Sequence, residues 1–350
     1  GKEISNQKRY QEIYYLLEFF NKNYEMVYFV TLDELFHVED SLIEKIGKFF
    51  EATVVTGSYF SSSIWRDPSM EGWCKKREEK LIKLNIDYAF TPDPILCYNE
   101  RSLIQFKWLP DFATFASSPP NPEFVKKIYN KRRDRNVIGL FGSLGKWKGV
   151  YEVLKTLFEN PDIRDRYILL LSGSFVWHTF SRTEIDDIKY YLKHLENDIV
   201  FIEGGLDRDE EFNSLFDFCD VVVCFYNNLQ SSGVVSKGIL KNKKLLLSDK
   251  GFLRSLKKAI PDVGVVSQTV ESAIKKGVFS SFYAACYKSA TYERYKTLLD
   301  PNFAGQVIFG NFLERFLGDC FLFNEDVFLW YEKHEGWKFY EVLKRKIGGS

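Results

Sequence analysis

The chain has 350 residues, with 48 Lys plus Arg against 48 Asp plus Glu, 45% hydrophobic residues and an aromatic share of 17%. That length accommodates about two domains with sizeable cores, and with a formal charge of zero nothing global points to nucleic acid, where a basic stripe would be expected. The six cysteines include no C-x-x-C pair and the four histidines no cluster with metal spacing, so the chain reads as a protein of the reducing cytosol without a resident metal.

In chain order, residues 10–20 read as an apolar-rich helix, 26–31 as a strand and 41–50 as a helix, with Ser41 and Glu44 spaced as a capping box. Residues 53–56 form a strand that ends in Gly57-Ser58-Tyr59. A charged helix over 71–84 and short strands at 88–91 and 106–109 follow. This rhythm predicts a parallel sheet with helical crossovers. The segment Ser117-Ser-Pro-Pro-Asn-Pro122 then breaks the pattern. The basic run from Lys126 to Arg135 reads as a solvated linker helix, with contact to an anionic membrane surface as the other reading. These features place a first domain at 1–130 and a second at 136–290.

The second half repeats the rhythm more clearly. Strands are predicted at 137–141, 167–171, 199–201, 220–225, 244–247 and 263–266. Helices are predicted at 150–158, 182–195, 209–218, 234–240 and 251–259. Alternation of this kind describes a doubly wound sheet. Residues 291–350 read mainly as helices that pack back on the first domain. No signal-peptide pattern and no apolar run of roughly 18 residues is found.

Two loops carry the chemistry. Val137-Ile-Gly-Leu-Phe-Gly142-Ser143 leads to Gly145-Lys-Trp-Lys148-Gly149, and Val221-Val-Val-Cys-Phe-Tyr226 leads to Gln230-Ser231-Ser232-Gly233. In an open parallel sheet such loops face one crevice beyond the carboxyl ends of the strands. Glycine lets backbone N–H groups approach a phosphate, and a helix start adds partial positive charge. Lys148 neutralises anionic oxygen, while Ser231 and Ser232 offer hydroxyls or ordinary N-caps. Leu171-Ser-Gly173-Ser174 and Ile202-Glu-Gly204-Gly205 end two further strands, and their small residues leave room for a base and ribose. In the first half, Ser58, Tyr59 and Arg66 stand at a strand end as acceptor-side candidates. The histidines and carboxylates make neither a Ser-His-Asp order nor a glycosidase pair.

These residues give a specific resemblance. Residues 136–270 resemble the nucleotide-binding domain of retaining GT-B glycosyltransferases of the family 4-like group. Gly142-Ser143 and Lys148-Gly149 occupy the place of that family's Gly-Arg-x-x-x-x-Lys-Gly-like segment, with Ser143 where Arg is usual. Gln230 and Gly238 occupy the two acidic positions of its Glu-x7-Glu segment, and the Gln-Ser-Ser-Gly form resembles a divergent branch. The order of Phe201-Ile-Glu-Gly-Gly-Leu, Asp209-Glu-Glu-Phe and Cys219-Asp-Val-Val-Val follows the family as well. The family's opening strand and glycine-rich acceptor loop are not visible, which suggests a compact variant or a missing natural start.

The resemblance implies an α/β protein of the GT-B class, with two Rossmann-like doubly wound domains facing a cleft and C-terminal crossover helices. It implies a hexosyltransferase-type enzyme of the EC 2.4 class. Such an enzyme moves a sugar from a nucleotide-sugar to a hydroxyl of a glycan, lipid-linked or protein acceptor, with retention and without an obligatory metal or cofactor. Lys148 and Gln230 would act catalytically. Gly142, Ser143, Lys148, Ser231, Ser232 and Gly233 would hold the diphosphate. Gly173, Ser174, Gly204, Gly205, Tyr226 and Gln230 would hold sugar or nucleotide. The expected setting is cytoplasmic, with a peripheral membrane contact suggested by the basic run and the aromatic tail. A nucleotide-sugar or glycan-binding module without turnover, and a GT-B epimerase, are the other readings.

Overall fold

The computed structural model describes residues 5–20, 26–51, 53–113, 118, 122–204, 209–227, 232–279 and 290–299. The chain divides into two compact units, one of residues up to Leu109 and one beginning at Pro110. Among the described residues, all strand pairings in both units are parallel.

The first unit holds a four-stranded sheet in sequence order, β1 (Met26–Phe29), β2 (Val54–Ser58), β3 (Ile86–Thr91) and β4 (Gln105–Trp108). The helices α1 (Asn6–Phe20), α2 (Asp40–Gly47) and α3 (Glu71–Lys83) accompany it. Strand β2 is buried at every position, as a strand covered on both faces must be. In α2 the buried residues Leu42, Ile43 and Ile46 fall on one helical stripe. The capping box expected at Ser41 does not form. The helix begins one residue earlier, after Glu39, whose N–H is taken by the Gln7 side chain of α1 at 2.8 Å. A tertiary contact sets this boundary in place of the local serine.

The second unit holds six strands: β5 (Asn136–Phe141), β6 (Tyr167–Gly173), β7 (Ile199–Glu203), β8 (Val221–Cys224), β9 (Lys244–Ser248) and β10 (Gly264–Ser267). Their order is β10-β9-β8-β5-β6-β7. After β7 the chain returns to the other side of β5, so the topological switch lies between β5 and β8. Loops leaving those two strands diverge to opposite faces and open the ligand crevice of a doubly wound sheet. The helices are α4 (Pro122–Arg132), α5 (Val150–Glu159), α6 (Pro161–Arg164), α7 (Arg182–His194), α8 (Asp209–Phe218), α9 (Gly233–Leu240), α10 (Gly251–Ala259), α11 (Val270–Phe279) and α12 (Ala290–Leu298). The strand interiors and the inner faces of α5, α7 and α11 share one apolar core.

The basic run expected as a solvated linker is fastened to this second unit. Ile128 of α4 is fully buried, Lys131 donates to the Ile199 carbonyl at 2.7 Å, and Arg135 pairs with Asp198. Charge in the sequence did not reveal these partners, because they lie more than sixty residues away. The expected returning helices of 291–350 lie outside the described residues beyond Leu299. Among the described residues, no helix is long and apolar enough to cross a membrane.

Candidate functional site

The site grows from the carboxyl end of β5. Gly142 follows that strand at φ +96°, a conformation open to glycine. Its N–H bonds to the Ser172 carbonyl at 2.9 Å. Gly173, at φ +142°, passes so close that a Cβ there would overlap the Gly142 carbonyl. The glycines therefore let the loops after β5 and β6 touch backbone to backbone. Leu144 extends this contact by donating to Ser174 and accepting from Val176.

The chain then makes a tight turn over Lys146–Lys148 and enters α5 through Gly149, at φ +69°. A Cβ on Gly149 would lie 2.7 Å from the Phe225 carbonyl. The Asn227 N–H donates to the Trp147 carbonyl at 2.7 Å. The loops after β5 and β8 are thus tied through their main chains across the switch point. Tyr226 is fixed further by Ser248, whose hydroxyl donates to the Tyr226 carbonyl at 2.6 Å.

This tie brings three predicted side chains together. The Lys148 amine lies 3.4 Å from Ser232 Oγ and 4.3 Å from the centre of the Tyr226 ring. The Tyr226 hydroxyl donates to Ser232 Oγ at 3.0 Å. Ser232 is also the N-cap of α9, accepting from the Val234 N–H. A Cβ on Gly233 would meet no atom of the described residues within 4 Å. A Cβ on Gly142 would stand 3.7 Å from the Lys148 amine. A lysine, a glycine turn and a helix start therefore border one place, an arrangement suited to anionic oxygen.

Electrostatics follow from burial. Removal from water holds the Lys148 amine at about 8, against an ordinary value of 10.5, while the Cys224 thiol and Asp111 carboxylate act in the opposite direction. Burial pushes the Cys224 thiol up to about 12 and Tyr226 well above its usual range. The Lys148 amine lies against the Tyr226 ring and the Ser232 hydroxyl, and a negatively charged ligand would restore its preference for the protonated state.

The remaining predicted residues are placed as follows. Ser143, Ser174 and Gly204 are exposed at their strand ends. Gln230, Ser231 and Gly205 lie outside the described residues. Tyr226, expected against sugar or nucleotide, is only 2% exposed, with its ring under the Lys148 amine. Gly238 faces the sheet, where a Cβ would come within 2.6 Å of Leu245. In the first unit, Ser58 is buried and shares a 2.6 Å hydrogen bond with Tyr28. Tyr59 is fully buried, and Arg66 is paired with the buried Asp93. Sequence reading missed Asp111 and the Asn227–Trp147 tie, which nothing local marks. Among the described residues no group of three His, Cys, Asp or Glu side chains could hold a metal ion.

No family model and no curated protein matches the chain. Solved structures do. Sucrose-phosphate synthase from Thermosynechococcus elongatus matches with a TM-score of 0.64 and 14% identity, over 89% of this chain and 78% of that one. Anabaena HepE in complex with UDP and glucose matches at 0.61 and 13%, over 87% and 80%. The E. coli trehalose-6-phosphate protein bound with UDP-2-fluoro glucose matches at 0.64 and 10%, over 87% and 77%. These neighbours are GT-B glycosyltransferases. The chain has their fold, with two Rossmann-like parallel-sheet units, and at such identities the likeness is one of fold.

Proposed function

We propose that this chain is a glycosyltransferase that moves a sugar from a nucleotide-sugar to a hydroxyl acceptor, with retention at the anomeric carbon and without a metal. The observation that carries the reading is the meeting of Lys148, Ser232 and the start of α9 beside the Gly142 turn. The reaction separates a sugar from a nucleoside diphosphate, so negative charge grows on phosphate oxygens. Donors aimed at that place before reaction stabilise it without reorganisation. Lys148 supplies a full charge in partly desolvated surroundings, where it acts more strongly than in water. N–H groups near Ser143 and at Ser231–Gly233 supply partial charges. Gln230 is assigned to the transferred sugar or its diphosphate, and Gly173, Ser174, Gly204 and Gly205 to the base and ribose side.

UDP-sugars are the first donors to test, because structures of the neighbours contain UDP or UDP-glucose. The acceptor is a glycan or lipid-linked hydroxyl, reached in the cytoplasm or at a membrane surface. The experiment follows release of nucleoside diphosphate from UDP-, GDP-, ADP- and CMP-linked sugars. A specific donor should be cleaved slowly, and Lys148→Ala should reduce that rate by about 10²–10³. Unchanged turnover in a folded Lys148→Ala protein would reject the assignment.

The second reading is a nucleotide-sugar-binding module without turnover. It is favoured by Gly238, which stands at one of the family's acidic positions and packs against Leu245. Tight donor binding without release of diphosphate would select it.

A further inference from the structure

Lys148 and Tyr226 come from different loops, yet their side chains form one assembly. The amine has the ring face on one side at 4.3 Å and the Ser232 hydroxyl on another at 3.4 Å. The phenol donates to that same Ser232 oxygen at 3.0 Å. The ring is held in place: Tyr226 is buried, its carbonyl accepts from Ser248, and the next residue is tied to Trp147.

We propose that Tyr226 is a positioning residue, whose ring face holds the Lys148 ammonium beside Gly142 while its hydroxyl fixes Ser232. This rests on the reading that Lys148 binds the donor diphosphate. The physical advantage of a ring lies in what it does not do. A carboxylate against the ammonium would form an ion pair that an incoming diphosphate must displace. An aromatic face attracts the cation through its quadrupole and takes none of the ammonium N–H groups, so those not donated to Ser232 can turn to phosphate oxygen. Holding a flexible lysine in advance also reduces the ordering cost at binding. Tyr226 thus acts on the ligand through Lys148 and not by touching the sugar.

The two parts of the side chain can be separated. Tyr226→Phe keeps the ring and Tyr226→Leu removes it. UDP affinity would be measured by calorimetry from about pH 6 to about pH 10, around the range in which buried lysines titrate. The Tyr226 ring and the Ser232 hydroxyl lie against the amine, and the Cys224 thiol and the Asp111 carboxylate act on it electrostatically. In the wild type, affinity should fall as the pH passes about 8, where Lys148 loses its proton. The Phe variant should retain the wild-type affinity within about threefold, and its midpoint. The Leu variant should bind about tenfold more weakly, which is about 1.4 kcal/mol. Its midpoint should move down by about one unit, because the charged amine has lost the ring that favoured it.

A Leu variant with wild-type affinity and midpoint overturns the proposal. Equal losses in Phe and Leu overturn the role given to the ring. Lys148→Ala separates the two levels. If UDP affinity is unchanged in it, the assignment of Lys148 fails; if it drops while Leu behaves as wild type, only the positioning role fails.

Should the Leu variant not fold, the wild type itself decides. Its lysines would be reductively dimethylated with 13C-formaldehyde and a borane reductant, and the Lys148 resonance assigned by its loss in Lys148→Arg. A ring face beneath the amine shifts that resonance upfield. A position among the exposed lysines overturns the proposal.

Discussion

Lys148 combines a proposed diphosphate-binding role with a thermodynamic penalty. Burial holds its amine at about 8, whereas an unfolded lysine titrates at 10.5. Between those values the unfolded chain keeps a proton that the folded chain has lost, so this residue makes stability rise with pH across that window. Lys148→Met removes the buried charge while keeping an unbranched chain. It should stabilise the protein by about 1 kcal/mol at pH 7 and abolish most UDP affinity. The stability gap should close towards the upper end of the window, as the wild-type amine becomes neutral in both states. Urea denaturation at both ends of the window checks this, and a gap that widens with pH would contradict the cause assigned. Gly238 makes a related point. The resemblance puts an acid there, but the Cβ direction leads into Leu245. A carboxylate at that position would be buried against an apolar side chain, at a cost of several kcal/mol.

At the scale of elements, the helix starts decide which residues face the crevice. Two serine caps in the second unit allow a controlled comparison. Ser181 forms a complete capping box with Glu184 at the start of α7, where Glu184 pairs with Lys146 and not with Lys148. Ser232 caps α9 and also receives Lys148 and Tyr226. Each change to Ala should cost about 1 kcal/mol of stability. Only Ser232→Ala should also weaken UDP, by about fivefold for one lost contact of ~1 kcal/mol. Calorimetry beside thermal melts separates the two effects, and equal UDP affinity in both variants would remove Ser232 from the site. The same elements show what the sequence made legible. The strands from β5 to β9 were visible because runs such as Ile168-Leu-Leu-Leu171 and Val221-Val-Val223 are buried on both faces and so read as continuous apolar segments. The start of α2 was misread because Gln7, far away in sequence, occupies the Glu39 N–H.

At the scale of the molecule, the proposed donor site is built from residues of the second unit. UDP should raise the apparent stability of the protein by about 2.7 kcal/mol at a hundredfold excess over its Kd. In hydrogen exchange, protection should concentrate in the Gly142–Gly149 turn and the first turn of α9. It should leave β2 and β3 of the first unit unchanged. Protection spread evenly through both sheets would argue against a site built on the β5 and β8 ends.

The sequence by itself determined the alternation of strand and helix, the doubly wound character of the second sheet and the two glycine-bearing loops at its switch point. These are local matters: apolar periodicity, strand length and turn chemistry act over a few residues and leave their mark in order. Only the tertiary structure decided that Tyr226 lies beneath Lys148, that Gly149 meets Phe225, that Gly238 is a packing position and that Arg66 is committed to Asp93. Those outcomes depend on which residues distant in the chain are brought to the same point, and on whether water remains there once they arrive. Neither is encoded in any short stretch of the chain.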